Sequence, residues 1–341
     1  MIVLKCKKGI PLEHESFLLQ RYDSFKTTCR YMEAYYPTCD IHHLLVYEDD
    51  VLRDILIYAN RGKIADCFNL LIEIDQDIIS LFTKHIFETY PQIEQVKIQA
   101  SYSQYSIDKS YLFSNFNDYV LALPATIEEY FAALGSNTRR HIRSYKVKFL
   151  KEYPHAEFLT VRGKDIQLEM VETIFKYNRE RMLHKGILPG LDNIEMNKVF
   201  EYAKHYGCVY CIKLDGKFVA GSIFLNLNKR TFGLLTSYDS YYSKFNVGQM
   251  CIVYSIQCSI ENGFSSYHFL WGDNEYKTKL LAKPSPLYSY CIHRAYTVDF
   301  FVGIIKAKIY NQMVKFRQSE LTKPLREAIK SYRSKRHIGK K

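Results

Sequence analysis

The chain has 341 residues, of which 47% are apolar, 24% charged and 15% aromatic. That is enough for two hydrophobic cores, and it excludes a disordered polymer. The net charge is +11, but residues 306–341 hold twelve Lys/Arg against two Glu, so the body before them is near neutral and is not a uniformly basic nucleic-acid binder.

In chain order, "IVLKC" reads as a strand and residues 12–35 as one long helical stretch. Runs at 42–48 and 51–59 alternate like strands around an acidic turn, Asp49-Asp50. A turn at Asn60-Arg61-Gly62, a third strand, a helix of period 3.6 and a strand at 95–100 follow. Thr126 then caps a short helix, with Glu129 at capping-box distance, and Gly135-Ser136 breaks it. A basic helix from about 138 to 152 carries Arg139, Arg140, Arg143, Lys146, Lys148 and Lys151 beside an apolar stripe of Ile142, Tyr145 and Phe149. It reads either as a solvated connecting helix or as a basic rim around an anionic ligand.

A strand, "AEFLTV", and helices at 164–185 and 193–206 come next. The meander then repeats, with strands at 208–214 and 218–227, a third strand, a helix, and an apolar run at 267–271 that ends on Gly272. Two copies of one α/β (α+β) domain in tandem are expected, not a solenoid. The basic tail reads as helical to about Glu320, with a restart at Pro324. It suits an anionic partner, either tRNA or a membrane surface, or else simply solubilises the chain.

Nine cysteines are scattered through apolar segments, as free thiols in a reducing compartment would be. Cys208 and Cys211 have half a zinc spacing, but three residues apart on a strand they face opposite ways, so no metal is expected. "MIVLKCKKGIPLEHE" lacks a leader's long apolar region, and no run approaches a membrane span, so a soluble cytoplasmic protein is expected.

Four stretches carry a resemblance: "SNTRRHIRSYKVKFL", "GKFVAGSIFL", "SYDSYYSKFNVGQMCIVYSI" and "HFLWGDNEYKTKL". They resemble the GNAT acyltransferases, in the tandem arrangement of the CelD-like and Fem-like (FemAB-type) group. This implies two tandem GNAT-like domains, each a mixed, mostly antiparallel sheet flanked by helices. The expected boundaries are a degenerate first copy at 1–125, basic linker helices at 126–155, the acyltransferase domain at 156–300 and the basic tail at 301–341. It implies transfer from acyl-CoA, with acetyl-CoA first, to an amine or hydroxyl of a small molecule, sugar, polysaccharide or cell-envelope precursor. A Fem-type transferase using aminoacyl-tRNA and an inactive GNAT-like binding module stand as alternatives.

By the same resemblance, Tyr276 and Lys277 lie at the active site. Lys277 is expected to stabilise a tetrahedral intermediate or hold an anionic substrate, and Tyr276 to stack on a sugar or relay a proton. Asp273 or Glu275 would take the acceptor's proton. Read without the family, Asp273 is a helix cap for "NEYKTKLL". Asn246, Val247, Gly248 and Gln249 would cradle the cofactor's phosphates at a helix start, although the loop has one glycine where GNAT loops have more. The matching loop of the first copy, "IEIDQDIIS", is acidic and repels phosphate, which places the donor in the second copy. Tyr238, Asp239, Arg139 and Arg140 are candidates for contact with substrate. His268 reads as a packing residue within its strand.

Overall fold

The computed structural model describes residues 1–184, 186, 190 and 192–318. The described residues form two compact units, 1–117 with 285–318, and 118–284.

In the first unit the elements run β1 (Ile2–Lys8), α1 (Glu15–Tyr22), α2 (Cys29–Tyr35), β2 (Ile41–Glu48), β3 (Val51–Arg61), β4 (Ile64–Cys67), α3 (Gln76–Thr89), β5 (Gln95–Ser101) and β6 (Ser110–Ala122). The long helix expected over 12–35 is two short ones. Asp23 turns left-handed at φ 46°, and Ser24 starts a 3-10 turn by accepting a bond from the Lys26 amide. Strands β1 to β4 pair antiparallel in sequence order, and β4 pairs parallel with β5. Helix α3 buries Ile78, Ile79, Phe82 and Ile86, one face of a 3.6-residue period.

The second unit adds α4 (Ile127–Ala133), α5 (Ser136–Glu152), β7 (Glu157–Arg162), α6 (Leu168–His184), α7 (Asn193–Tyr206), β8 (Gly207–Leu214), β9 (Lys217–Leu227), β10 (Arg230–Tyr238), α8 (Val247–Glu261), β11 (Ser266–His268) and α9 (Glu275–Lys279). Thr126 caps α4 as expected, accepting from the Glu129 amide at 3.2 Å. Strands β7 to β10 again pair antiparallel in order, and β10 again pairs parallel with the next strand, β11. Helix α8 is apolar almost all round and fills the core over these strands. Strand β8, "GCVYCIKL", is buried along nearly its whole length, as its unbroken apolar run requires. Burial pushes the Cys208 thiol to about 11 and Cys211 to about 12.

β12 (Lys283–His293) and α10 (Val298–Gln318) complete the elements among the described residues. Each unit closes with a strand that its own repeat does not supply. From residue 288 on, β12 pairs antiparallel with β5, and β6 follows it in the sheet order. Residues 120–122 of β6 pair antiparallel with β11 and so end the second unit. Helix α10 docks on the first unit through Gly303, where a Cβ would lie 2.4 Å from the Tyr111 ring, and through Asn311, whose side-chain amide donates to the Leu112 carbonyl at 2.8 Å. The restart at Pro324 lies outside the described residues. No helix among them is long and apolar enough to cross a membrane.

Candidate active site

Strand β10 pairs with β9 along its whole length, but it meets β11 only through residues 230–232 and 266–268. Beyond that point the two parallel strands part. The run at 267–271 was expected to be all strand, yet it stops at His268. Leu270 and Gly272 both take positive φ, 54° and 100°, which turns the backbone out of the sheet. Residues 269 and 270 keep bonding β6, with the Phe269 amide donating to Tyr119 at 2.8 Å and the Tyr119 amide donating to Leu270 at 3.3 Å. The result is a slot. One wall is the free edge of β10 from Gly233 to Tyr238, and the other is the carbonyl row of residues 269–271.

Lys277 holds that second wall. The residue is 2% exposed, and its ammonium group donates to the carbonyls of Phe269, Leu270 and Trp271 at 3.1, 2.9 and 2.8 Å. It also lies 5.1 Å from the centre of the Tyr119 ring. Three donors meet three acceptors, so in this conformation none is left for a substrate. Burial pushes its pKa down to about 8, with Asp118 and Asp273 pulling the other way.

Around Lys277 the other expected residues separate. Asp273 accepts from the Tyr119 hydroxyl at 2.7 Å, and the residue at the cap position of α9 is Asn274, without a side-chain capping bond. Glu275 points to solvent and pairs with Lys279 at 3.0 Å. Tyr276 is exposed along one edge, and burial of the rest raises its phenol above the ordinary value while Arg181 pulls it down.

At the slot's far end the ring of Tyr238 lies directly on Gly248. A Cβ there would sit 2.6 Å from a ring carbon. The single glycine therefore admits an aromatic ring against the first turn of α8. Val247 is fully buried, Asn246 is left-handed at φ 53° and bonds the Gln249 side chain, and the Gln249 amide donates back to Asn246 at 3.0 Å. Asp239 caps the 3-10 turn that follows β10, accepting from the Tyr241 amide at 2.9 Å. Arg140 bonds Asn137 on the surface of α5. Arg139 lines a cavity of about 440 Å³ on the flank of α8, beside Phe131, Ile142, Phe158 and Val253.

Two groups that the sequence reading did not select stand at this slot. Arg181, from α6, donates to the Thr236 carbonyl of β10 at 3.5 Å and lies 5.7 Å over the Tyr238 ring, with its Nε buried and without a partner among the described residues. At the apex, where the strands part, buried His268 meets buried Asp118 at 2.6 Å through Nδ1 and Ser266 at 3.0 Å through Nε2, and it stacks on Phe232. If the Asp118 carboxylate accepts from Nδ1, then Nε2 accepts from the serine hydroxyl.

Residues 136–278 match the acetyltransferase (GNAT) domain family. This segment is similar to a GNAT domain. In fold, the whole chain resembles several solved structures. It superposes on FemX with a TM-score of 0.64 at 9% identity, covering 85% of this chain and 97% of that one. It superposes on the C-terminal domain of a protein assigned as a lysylphosphatidylglycerol synthetase from Agrobacterium fabrum with a TM-score of 0.58 at 11% identity, covering 87% and 96%. For L-PGS from Bacillus licheniformis the TM-score is 0.56 at 12% identity, covering 89% and 97%. Among curated proteins, no sequence matches the chain.

Beyond Phe232 the β10 edge of the slot no longer pairs with β11, and its Thr236 carbonyl accepts from Arg181, so it has the character of a sheet edge open to an added strand. Arg181 brings a fixed positive charge with an unused donor to the mouth, the kind of group that stabilises an oxyanion. No cluster of three or more His, Cys, Asp or Glu that could hold a metal occurs among the described residues.

Proposed function

We propose that the chain transfers an acyl group, acetyl first, from acyl-CoA to an amine or hydroxyl of a sugar, polysaccharide or cell-envelope precursor. The observation that carries this reading is the slot between β10 and β11 in a GNAT-like domain, with Arg181 at its mouth. The donor arm lies along the free edge of β10. The Arg181 Nε faces the oxygen that gains charge as the acceptor attacks. Asp273, beside Tyr119, takes the acceptor's proton, and Tyr276 offers its exposed ring to a sugar. Lys277 is a positioning residue that keeps the second wall in place.

One feature favours a second reading, an aminoacyl-tRNA donor. The Tyr238 ring covers Gly248 at the helix start where a pyrophosphate would sit, and the twelve cations after residue 305 suit a phosphate backbone.

The test is acceptor-dependent thiol release from acetyl-CoA, run beside transfer from labelled aminoacyl-tRNA, for wild type and Arg181→Gln. Thiol release that falls about a hundredfold in the variant, with an unchanged melting curve, supports the acyl-CoA reading. Consumption of aminoacyl-tRNA alone would select the second reading, and activity with neither donor would leave a binding module.

A further inference from the structure

Helix α10 docks on the first unit through one face only. That face is Phe300, Gly303, Ala307 and Asn311, at the spacing of 3.6 residues per turn. The opposite face is what a soluble helix normally fills with charge. Here it carries Val298, Phe301, Val302, Ile305, Ile309 and Met313, each between 40% and 78% exposed. At about 100° per residue these six side chains fall within an arc of about 120°, centred opposite the docking face. Single exposed apolar residues are ordinary, whereas six in one stripe mark an interaction surface.

Charge tells which surface it meets. Lys306 borders the stripe on one side, and Lys308 and Lys315 border it on the other. Beyond the helix, residues 323–341 add eight Lys/Arg against one Glu. A helix with an apolar arc edged by lysines and followed by a polybasic segment has the chemistry of a helix that lies in the headgroup region of an anionic bilayer. It is too polar to cross one. A second copy of this chain would bring its lysines against these lysines, so self-association on this face is opposed by charge.

We infer that α10 is a membrane-surface anchor, with its apolar stripe sunk into the acyl boundary of an anionic bilayer and its lysines on the phosphates. The inference rests on neither donor reading.

The test uses the full chain in flotation with vesicles of phosphatidylcholine alone or with a third phosphatidylglycerol. Wild type is expected to float with the anionic vesicles and not with the neutral ones. The Ile305→Ser/Ile309→Ser variant changes only exposed positions, so it folds, and its partition should fall at least tenfold. Lys306→Gln/Lys308→Gln/Lys315→Gln should weaken binding to anionic vesicles and flatten its salt dependence. Flotation that survives the serine substitutions would assign binding to the tail alone and overturn the anchor. So would equal binding to both vesicles. A wild type that ignores vesicles but forms dimers, which the serine variant lacks, would hand the stripe to a second copy.

Discussion

At the scale of single residues, the lysine after the tyrosine of "NEYKTKLL" has become a clamp. Lys277→Met keeps the stem but takes a donor from three carbonyls, of which Leu270 keeps its bond from the Tyr119 amide and Phe269 lies buried, and a buried polar group that loses its partner costs about 1 to 3 kcal/mol. The variant should therefore lose stability and turnover together. Burial holds the folded-state pKa at about 8, below the ordinary 10.5, so over that interval the unfolded chain binds the proton more tightly. Stability from this group therefore rises as pH climbs from about 8 toward 10.5, and its burial is costliest below 8. Denaturant unfolding of wild type and Lys277→Met between pH 7 and 10.5 measures this. Wild type should gain on the variant across the upper part of the range, and a flat difference would mean the ammonium is not depressed.

At the scale of elements, the end of β10 and the start of α8 are one packed joint, because a ring and a glycine occupy each other's space. Gly248→Ala puts a methyl group 2.6 Å from the Tyr238 ring and should cost about 1 to 3 kcal/mol by overpacking. Adding Tyr238→Ala should relieve part of that loss, so melting data on both single variants and the double should be clearly non-additive. Additive losses would show that the ring moves away freely. Elements of this kind were readable where periodicity was unbroken, as in β2, β3, α3, β8, β9 and α7. They were not where a tertiary contact decides. The run "YHFLW" has every mark of a strand to its end, yet Leu270 turns out to make the slot. Strand β12 opens with Pro284 and Pro286, which demote a strand, and its pairing with β5 begins only once they are passed. Arg181 meets β10 some fifty residues further along the chain, and Asp118 meets His268 across 150, so no local spacing announces either. Asp273, Glu275, Tyr276 and Lys277 stand within five residues of one another, which is why one short stretch could be singled out from the sequence.

At the scale of the whole molecule, charge separates the two donors. Deleting residues 323–341 removes eight Lys/Arg and one Glu. With acyl-CoA and a soluble acceptor, the shortened chain should turn over like the full one. With aminoacyl-tRNA its affinity should drop and the salt slope of binding should become shallower, since fewer counterions are released. Steady-state rates and an electrophoretic shift series across salt check the two cases. The exchange of closing strands has a consequence on the ribosome. The second unit's closing strand, at the end of β6, is synthesised before the strands it joins, and so it is waiting for them. The first unit is in the opposite position, because its five early strands are complete by Ser101 but the strand that seals β5 begins pairing only at Tyr288. At about 5 to 20 residues per second, that edge stays unsealed for roughly 10 to 40 s in each round of synthesis. Over that interval the nascent chain depends on whatever shields a bare strand edge.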